Sequence, residues 1–241
     1  MTFLPAVFLT CGGLLLPRPG KNVPFCLGTF ILVPAVIYYL SYWAYGTARG
    51  MGGFGMLFSR EYLDIVLDNQ KYMFSYHSGV DATHPYSSSW WQWLINLRPI
   101  LYYLDYGYDG SLSTIGAMLN PLMCWAGLGA MIVMLRLWIG EGDKTARFIF
   151  LGYVAQLLPW VFVSRITFAY HYFPSCVFLL LALGHIMQGI REKNPAWKRS
   201  IAGFCIVSAV LFIAYYPVIS GAEVSREFSD KFLGWFNTWP F

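Results

Sequence analysis

Apolar residues gather in six segments along the chain, each bounded by charged residues or by proline and glycine. The segments run over residues 4–16, 23–45, 114–135, 147–163, 168–190 and 200–220. A helix needs about 20 apolar residues to cross the ~30 Å hydrocarbon core of a bilayer. The pattern therefore predicts about six transmembrane helices, although the first and fourth segments are short for a full crossing.

The composition agrees with a membrane-embedded chain. Of its 241 residues, 57% are hydrophobic and 12% are charged, whereas soluble domains carry about 25% charged residues. These proportions predict an all-α integral membrane protein. The net charge of +4 is spread along the chain, so it gives no indication of nucleic-acid binding.

The five cysteines lie within the apolar segments and lack the paired spacing of metal ligands. They are Cys11, Cys26, Cys124, Cys176 and Cys205. A free cysteine behaves as a small hydrophobic residue. We therefore expect buried thiols and no disulfide framework.

Basic residues in alternate short loops predict the orientation of the chain. They are Arg18 and Lys21, then Arg136, Lys144 and Arg147, and finally Arg191, Lys193, Lys198 and Arg199. Short loops rich in Lys and Arg lie in the cytoplasm, so the other connections are predicted to be external. Both ends of the chain then lie outside, where a natural start without a signal is uncommon. Whether Met1 is the natural start therefore stays open.

The predicted organisation of this multi-pass protein of the cell membrane has four parts. They are two transmembrane helices in 1–45, an external loop in 46–113, a four-helix transmembrane region in 114–220 and an external tail in 221–241. Within the external loop, polar residues recur at spacings of three and four. They are Glu61, Asp64, Asp68, Lys71 and Ser75. This spacing predicts a helix with one polar face, lying along the membrane interface.

The stretch THPYSSSWWQWLINLRPILYY (83–103) follows this helix. Its tryptophans and tyrosines are typical of the aromatic belt at the headgroup level of a membrane. A belt does not explain the pairs His84-Pro85 and Arg98-Pro99. Because proline biases the preceding residue away from the α-helical region, these pairs present His84 and Arg98 from non-helical turns.

Arg165 and His171 lie near the external end of the two apolar segments that meet at LPWVFVSRITFAYHYFPS. An ionisable residue at such depth is costly and indicates a functional site by default. Two interpretations stay open. In the first, Arg165 snorkels to the surface and His171 forms a hydrogen bond to a neighbouring helix. In the second, both residues bind a lipid phosphate. Pro174, three residues after His171, is expected to kink or restart the helix. A guanidinium binds phosphate oxygens through two parallel hydrogen bonds.

The other histidines give weaker signals. His77, Asp81 and His84 have metal-ligand spacing, but Gly79 and Pro85 interrupt the helix that would align them, so no metal site is predicted. His185 lies on an apolar helix and is expected to be a hydrogen-bonded core residue.

Two motifs, taken in their order along the chain, resemble those of a known family. HPYSSSWWQW (84–93) with LRP (97–99), followed by SRITFAYHYFP (164–174), resembles the C-terminal region of the protein O-mannosyltransferases. These are dolichyl- or polyprenyl-phosphate-mannose-dependent enzymes of glycosyltransferase family 39, with a GT-C membrane fold. The Asn120-Pro121 pair fits the same region, and the resemblance extends over roughly residues 60–220.

The resemblance implies transfer of mannose from a polyprenyl-phosphate-mannose donor to Ser or Thr of an acceptor protein on the external face. No cofactor is implied beyond this lipid-linked donor, and a dependence on divalent metal stays open. The Trp-rich stretch would cover the sugar and limit hydrolysis. The residues implied to hold the donor are Arg165, His171, Tyr170, Arg98, His84, Trp90 and Trp91.

One part of the family pattern is missing. Family members use a carboxylate from an Asp-Glu pair in the first external loop to take the acceptor proton, and this sequence contains no adjacent Asp-Glu pair. The external acids Asp81, Asp105 and Asp109 have no spacing that favours one of them, so the catalytic residue is unknown. The resemblance therefore implies a C-terminal, donor-binding part that needs a missing N-terminal half or a partner subunit. The alternative is a non-catalytic GT-C-like subunit that serves as a scaffold for a partner glycosyltransferase.

Overall fold

The structure, a computed structural model, describes residues 24–25, 27–79 and 83–241. The chain divides into two compact units, one ending at Ala82 and one running from Thr83 to Phe241. The first predicted membrane segment, residues 4–16, lies outside the described residues, as do Cys11 and Cys26.

The first unit is helical. A π-helical turn, Gly28–Leu32, leads into α1 (Val33–Ser41) and α2 (Trp43–Ala48), and a 3-10 turn, Phe54–Phe58, precedes α3 (Arg60–Gly79). The buried Tyr62 of α3 joins these helices, because its hydroxyl donates to the Tyr39 carbonyl at 2.8 Å. A Cβ atom at Gly46 would lie 3.1 Å from the Tyr62 ring, so a residue without a side chain permits this close approach.

The predicted polar-faced helix is confirmed as α3. Tyr62, Ile65 and Val66 are its buried residues, and the five polar residues at spacings of three and four are all exposed. The apolar contacts of α3 thus fall on a face different from the polar one, as the spacing predicts. Its position along a membrane interface stays a prediction.

The second unit combines helices with a small sheet. Its α-helices and strands are α4 (Trp90–Leu94), β1 (Ile100–Tyr106), β2 (Ser111–Ala117), α5 (Pro121–Glu141), α6 (Lys144–Val161), α7 (Phe173–Lys193), α8 (Lys198–Ser220), β3 (Glu223–Ser225) and α9 (Arg226–Phe228). Short helical turns complete it: Ala169–Tyr172 and Pro195–Trp197 are 3-10 turns, and Ser229–Leu233 is a π-helical turn.

The three strands form an antiparallel sheet in the order β1-β2-β3. The prediction of an all-α fold is therefore wrong, although the chain is mostly helical. The third predicted membrane helix was also placed too early, because residues 114–117 belong to β2. Asn120 caps α5 by accepting from the Met123 amide, and Pro121 opens the helix, which is the position where proline fits a helix.

Helices α5, α6 and α7 pack around a shared core that includes Met134, Ala146 and Leu179. Glycines allow the close approach: a Cβ atom on Gly127 would lie 2.7 Å from Leu179, and one on Gly152 would lie 2.2 Å from the Phe178 ring. Small residues at helix contacts are typical of membrane helix pairs, since they let the backbones come close.

Four helices of the described residues are long and apolar enough to cross a membrane. They are Gly28–Ala48, Pro121–Glu141, Ala169–Lys193 and Pro195–Ser220. They correspond to the second, third, fifth and sixth predicted segments. The fourth segment, 147–163, is confirmed as a helix by α6, but this 18-residue helix is not among the four.

Asp143 links the turn between α5 and α6 to α7 through hydrogen bonds. One carboxylate oxygen accepts from the amides of Thr145 (2.7 Å) and Ala146 (3.0 Å), and the other lies 2.7 Å from His185 Nε2. Burial alone would raise the pKa of Asp143, but these hydrogen bonds outweigh it and lower the pKa. His185 has the expected hydrogen-bond partner, although it is only partly buried.

The predicted tail, 221–241, is an integral part of the fold. Its β3 strand completes the sheet, and Leu233, Trp239 and Phe241 are buried in a cluster with Tyr215 of α8. Trp239 also donates from Nε1 to the carbonyl oxygen of Asn96 at 2.9 Å. The tail therefore ties the last helix to the segment that follows α4.

Free thiols were predicted for all five cysteines, and the three described ones are free. Their burial differs from the prediction. Cys124 is buried and Cys176 is partly buried, but Cys205 is exposed on α8. Cys205 lines an open apolar groove together with Met123 of α5 and Leu180 of α7.

Candidate functional site

Two reciprocal hydrogen bonds join the two sequence motifs. The amide of Ser88 donates to the Thr167 carbonyl at 2.8 Å, and the Thr167 hydroxyl donates to the Ser88 carbonyl at 2.7 Å. Both residues are buried. The structure therefore brings together HPYSSSWWQW and SRITFAYHYFP, which are far apart in the sequence.

The short helix α4 directs Trp93 into the core. Ser89 and Gln92 form a capping box at its start, which satisfies amides that a helix leaves unpaired. Trp93 is 2% exposed and donates from its indole nitrogen to the Ser88 hydroxyl at 2.9 Å. Asn96, at a positive φ of 56°, then turns the chain away from the helix.

Trp93 is part of an aromatic–histidine cluster, which we define as Trp93, Trp160, Tyr170, His171 and Tyr172. Ring centroids of Trp160, Tyr170 and Trp93 lie 4.2, 4.3 and 6.0 Å from that of His171. The His171 ring is also fixed by its Nδ1, which is 3.0 Å from the Phe168 carbonyl and 3.1 Å from the Phe168 amide nitrogen.

Arg165 lies close enough to His171 for their charges to interact. Of the residues implied to hold the donor, Tyr170 and His171 are in ring contact, and Arg165 precedes them in the same segment. Pro174 falls in the first turn of α7, so the helix restarts there as predicted. The turn that precedes it presents Tyr170 and His171 from a 3-10 turn and not from a regular α-helix.

The residues implied from the Trp-rich stretch are placed in three different ways. His84 is exposed, and its ring lies 5.1 Å from that of Phe168, beside the cluster. Trp90 packs partly buried against the core that contains Trp93. Trp91 is 49% exposed, so it is not part of this core.

Arg98 is not brought to His171. Its Nη2 donates to the Pro85 carbonyl at 2.5 Å, and its side chain lines a separate cavity together with Arg226. A donor-binding role for Arg98 stays a prediction.

Trp93, Trp160 and Thr167 also belong to the candidate site, although the sequence motifs do not single them out. Trp93 lies three residues after Trp90, the spacing of one helix face, and this signal could have separated it from the exposed Trp91. Nothing near Trp160 or Thr167 in the sequence marks them. Their role depends on which segments meet in the folded chain.

Tyr102 on β1 and Asp109 in the β1–β2 turn have defined protonation states. Burial, followed by the nearby Tyr170, raises the pKa of Tyr102 on β1, so Tyr102 is a neutral hydroxyl at neutral pH. Hydrogen bonds from Ser111 lower the pKa of Asp109, which leaves an ionised carboxylate in the exposed β1–β2 turn. Asp105 is exposed on β1, and Asp81 lies outside the described residues.

Metal binding has no support in the described part of the chain, where no three His, Cys, Asp or Glu side chains are grouped as ligands. The triad of His77, Asp81 and His84 stays untested because Asp81 is not described. The cluster offers a different chemistry. A guanidinium and an imidazole can bind phosphate oxygens, and aromatic faces can cover an uncharged ring beside them.

Comparison with known proteins gives the family. The family described as the C-terminal four TMM region of protein-O-mannosyltransferase matches residues 63–147 and 142–239. The chain belongs to this family. The matched region contains the joined motifs, the sheet and the four long helices α5 to α8.

Individual relatives agree with this assignment. The chain is 25% identical to dolichyl-phosphate-mannose–protein mannosyltransferase 1 of Candida albicans, over 70% of this chain and 22% of that protein. It is also 25% identical to polyprenol-phosphate-mannose–protein mannosyltransferase of Mycolicibacterium smegmatis, over 82% of this chain and 44% of the relative. The chain thus spans less than half the length of these relatives.

A solved structure shares the fold. It is that of the S. cerevisiae protein O-mannosyltransferase Pmt1–Pmt2 complex bound to the sugar donor. The TM-score is 0.61 at 22% identity, and the match covers 79% of this chain and 27% of the other.

The junction of the motifs gives a testable prediction for stability. Thr167→Val removes the hydroxyl that donates to the buried Ser88 carbonyl, and an unpaired buried polar group costs about 1–3 kcal/mol. We expect a lower thermal unfolding midpoint for the purified chain in detergent. Thr145→Val, at an exposed threonine, is the control and should change the free energy of unfolding by less than about 0.5 kcal/mol. Equal losses in both variants would contradict a stabilising role for the junction.

Proposed function

We propose that this chain is the C-terminal, donor-binding part of a protein mannosyltransferase. The complete enzyme transfers mannose from polyprenyl-phosphate mannose to Ser or Thr of proteins on the external side of the membrane. The observation that carries the proposal is the junction of the two motifs through Ser88 and Thr167, with His171 enclosed by aromatic rings and Arg165 in the same motif. Membership of the family supports it.

Each residue of the proposed donor site has a physical role. Arg165 binds the donor phosphate through its planar guanidinium, and His171 donates a hydrogen bond to another phosphate oxygen. Tyr170, which is 39% exposed, covers the sugar. His84, packed against Phe168, closes the edge of the site.

Water exclusion is the second role of the aromatic residues. Trp90 packs on the inner side of the stretch and Trp91 is exposed on its outer side. Trp91 therefore contacts lipid headgroups, whereas Trp90 supports the wall of the site. A covered sugar phosphate reacts less with water, which favours transfer to an acceptor hydroxyl over hydrolysis.

The acceptor proton needs a base that the cluster does not contain. None of its members carries a carboxylate, and the sequence has no adjacent Asp-Glu pair. We infer that the base comes from another polypeptide segment, either an N-terminal half or a partner subunit. Of the three acids considered as substitutes, Asp105 and Asp109 are described, and they belong to β1 and to its exposed turn.

The membrane arrangement follows from the same family. We propose that α6 crosses the membrane together with α5, α7 and α8, because the matched family region is described by four transmembrane segments. Its 18 residues reach about 27 Å, which is slightly short of the ~30 Å hydrocarbon core.

Donor binding is the direct test of this function. Radiolabelled polyprenyl-phosphate mannose should bind the purified full chain in detergent. We expect Arg165→Ala to weaken binding about 10- to 100-fold, because a hydrogen bond to a charged group contributes about 1.5–3 kcal/mol. Arg165→Lys should restore part of the affinity, since it keeps the charge but loses the planar fork.

The control for donor binding is Arg191→Ala, which removes an exposed arginine from the last turn of α7. It should bind the donor like the unchanged chain. If Arg165→Ala and Arg191→Ala both bind normally, the donor site is elsewhere. If the unchanged chain binds no donor at all, the non-catalytic scaffold becomes the better account.

The predicted sidedness has its own test. Tyr108, in the turn between β1 and β2, is fully exposed, so a cysteine there is accessible from the side on which the sheet lies. We expect Tyr108→Cys in intact cells to react with an impermeant thiol reagent, and Lys193→Cys to react only after the membrane is opened. The unchanged chain, which carries its own cysteines, gives the background. The reverse pattern would overturn the orientation.

A further inference from the structure

A polar cavity of about 480 Å³ lies between β1, the residues before α4 and the C-terminal tail. We call it the arginine cavity. The lining residues that matter for its chemistry are Tyr86, Arg98, Tyr106, Arg226, Asp230 and Thr238. No residue that lines it belongs to the four membrane-length helices of the described chain.

Both arginines of the cavity are held in place. Arg98 donates to the Pro85 carbonyl, and the Arg226 guanidinium lies over the Tyr106 ring, 5.2 Å from its centroid. The Nε of Arg226 is 3.7 Å from a carboxylate oxygen of Asp230, in a pair that is mostly exposed. An exposed pair of this kind contributes little to stability. A guanidinium has five N–H donors, so these contacts leave both arginines able to bind a ligand.

Two segments connect the arginine cavity to the aromatic–histidine cluster. On β1, Tyr102 lies near Tyr170 of the cluster, whereas Tyr106 lines the cavity. The two tyrosines are four positions apart on the strand, which is a rise of about 13 Å along it. On the other segment, His84 packs against Phe168 and Tyr86 lines the cavity two residues later. Along both segments, a ligand in the cavity is therefore only a few residues away from the cluster.

The lining indicates the chemistry of the ligand. Two arginines and one aspartate give the cavity an excess of positive charge, which attracts carboxylates. Guanidinium donors also bind backbone carbonyls, and tyrosine rings contact apolar side chains. A lipid tail does not match a polar cavity that lies outside the membrane-length helices. An extended polypeptide with an acidic side chain matches all of these features.

We propose that the arginine cavity binds the acceptor polypeptide next to the Ser or Thr that receives the sugar, and favours an acidic residue there. This inference rests on the proposed function, because the cluster must hold the donor for a neighbouring polypeptide to be the acceptor. It also gives Arg98 a role different from the one implied by its sequence motif.

Photo-cross-linking of peptides to the purified full chain tests the proposal. Two Ser/Thr peptides carry the same benzophenone group and differ only in flanking Glu or Lys residues. We expect the Glu peptide to cross-link with a yield at least fivefold higher than that of the Lys peptide, at residues 85–112 or 226–241.

Arg226→Ala should remove this preference, and Asp230→Asn should increase the yield with the Glu peptide. Arg226→Gln, which keeps more of the side chain, should also remove the preference if Arg226→Ala folds poorly.

The matched control is Arg49→Ala. Arg49 also lies over a tyrosine ring, at 5.0 Å from Tyr45, but it does not line the arginine cavity. It should leave both yields unchanged. Equal cross-linking of the two peptides, or a preference that survives Arg226→Ala and Arg226→Gln, would overturn the proposal.

Donor binding, measured in parallel, separates this inference from the proposed function. Arg226→Ala should bind polyprenyl-phosphate mannose like the unchanged chain. If the donor binds and the peptides ignore the cavity, only the acceptor site is wrong. If the Glu peptide cross-links in the cavity but the unchanged chain binds no donor, the cavity is a polypeptide site and the proposed function fails.

Discussion

The paired hydrogen bonds between Ser88 and Thr167 are the constraint on which the rest of the site depends. They are buried, so breaking them would leave polar backbone groups without partners, at a cost of about 1–3 kcal/mol each. They hold the segment before α4 against the segment before α7. Trp93 can then reach His171, and the aromatic–histidine cluster forms at this junction.

Much of the helical architecture could be predicted from the sequence, because long apolar runs specify membrane helices almost regardless of their partners. The sheet could not be recovered in the same way. Residues 114–117 are apolar enough to be grouped with the helix that follows, although the SLSTIGA alternation and Asn120-Pro121 mark a strand and a helix start. The packed tail was missed for a related reason, since its burial depends on contacts with Tyr215 and Asn96 that are distant in the chain.

The candidate site shows the same division. Tyr170 and His171 lie on one turn because they are adjacent in the sequence. The contacts of Arg98 with the Pro85 carbonyl and with the cavity lined by the tail could not be predicted, because they depend on how distant segments meet. The aromatic–histidine cluster and the arginine cavity thus differ in chemistry, one being aromatic and the other rich in arginine.

The central claim is that the two joined motifs form one donor site, and cross-linking of a photoreactive analogue of polyprenyl-phosphate mannose tests it most directly. The photoreactive group sits next to the phosphate, and labelled peptides are identified by mass spectrometry. If both motifs hold the donor, labelling occurs within both 84–93 and 164–174, and excess unmodified donor abolishes it. Labelling confined to α8 or to the arginine cavity, or labelling that excess donor does not reduce, would contradict the account.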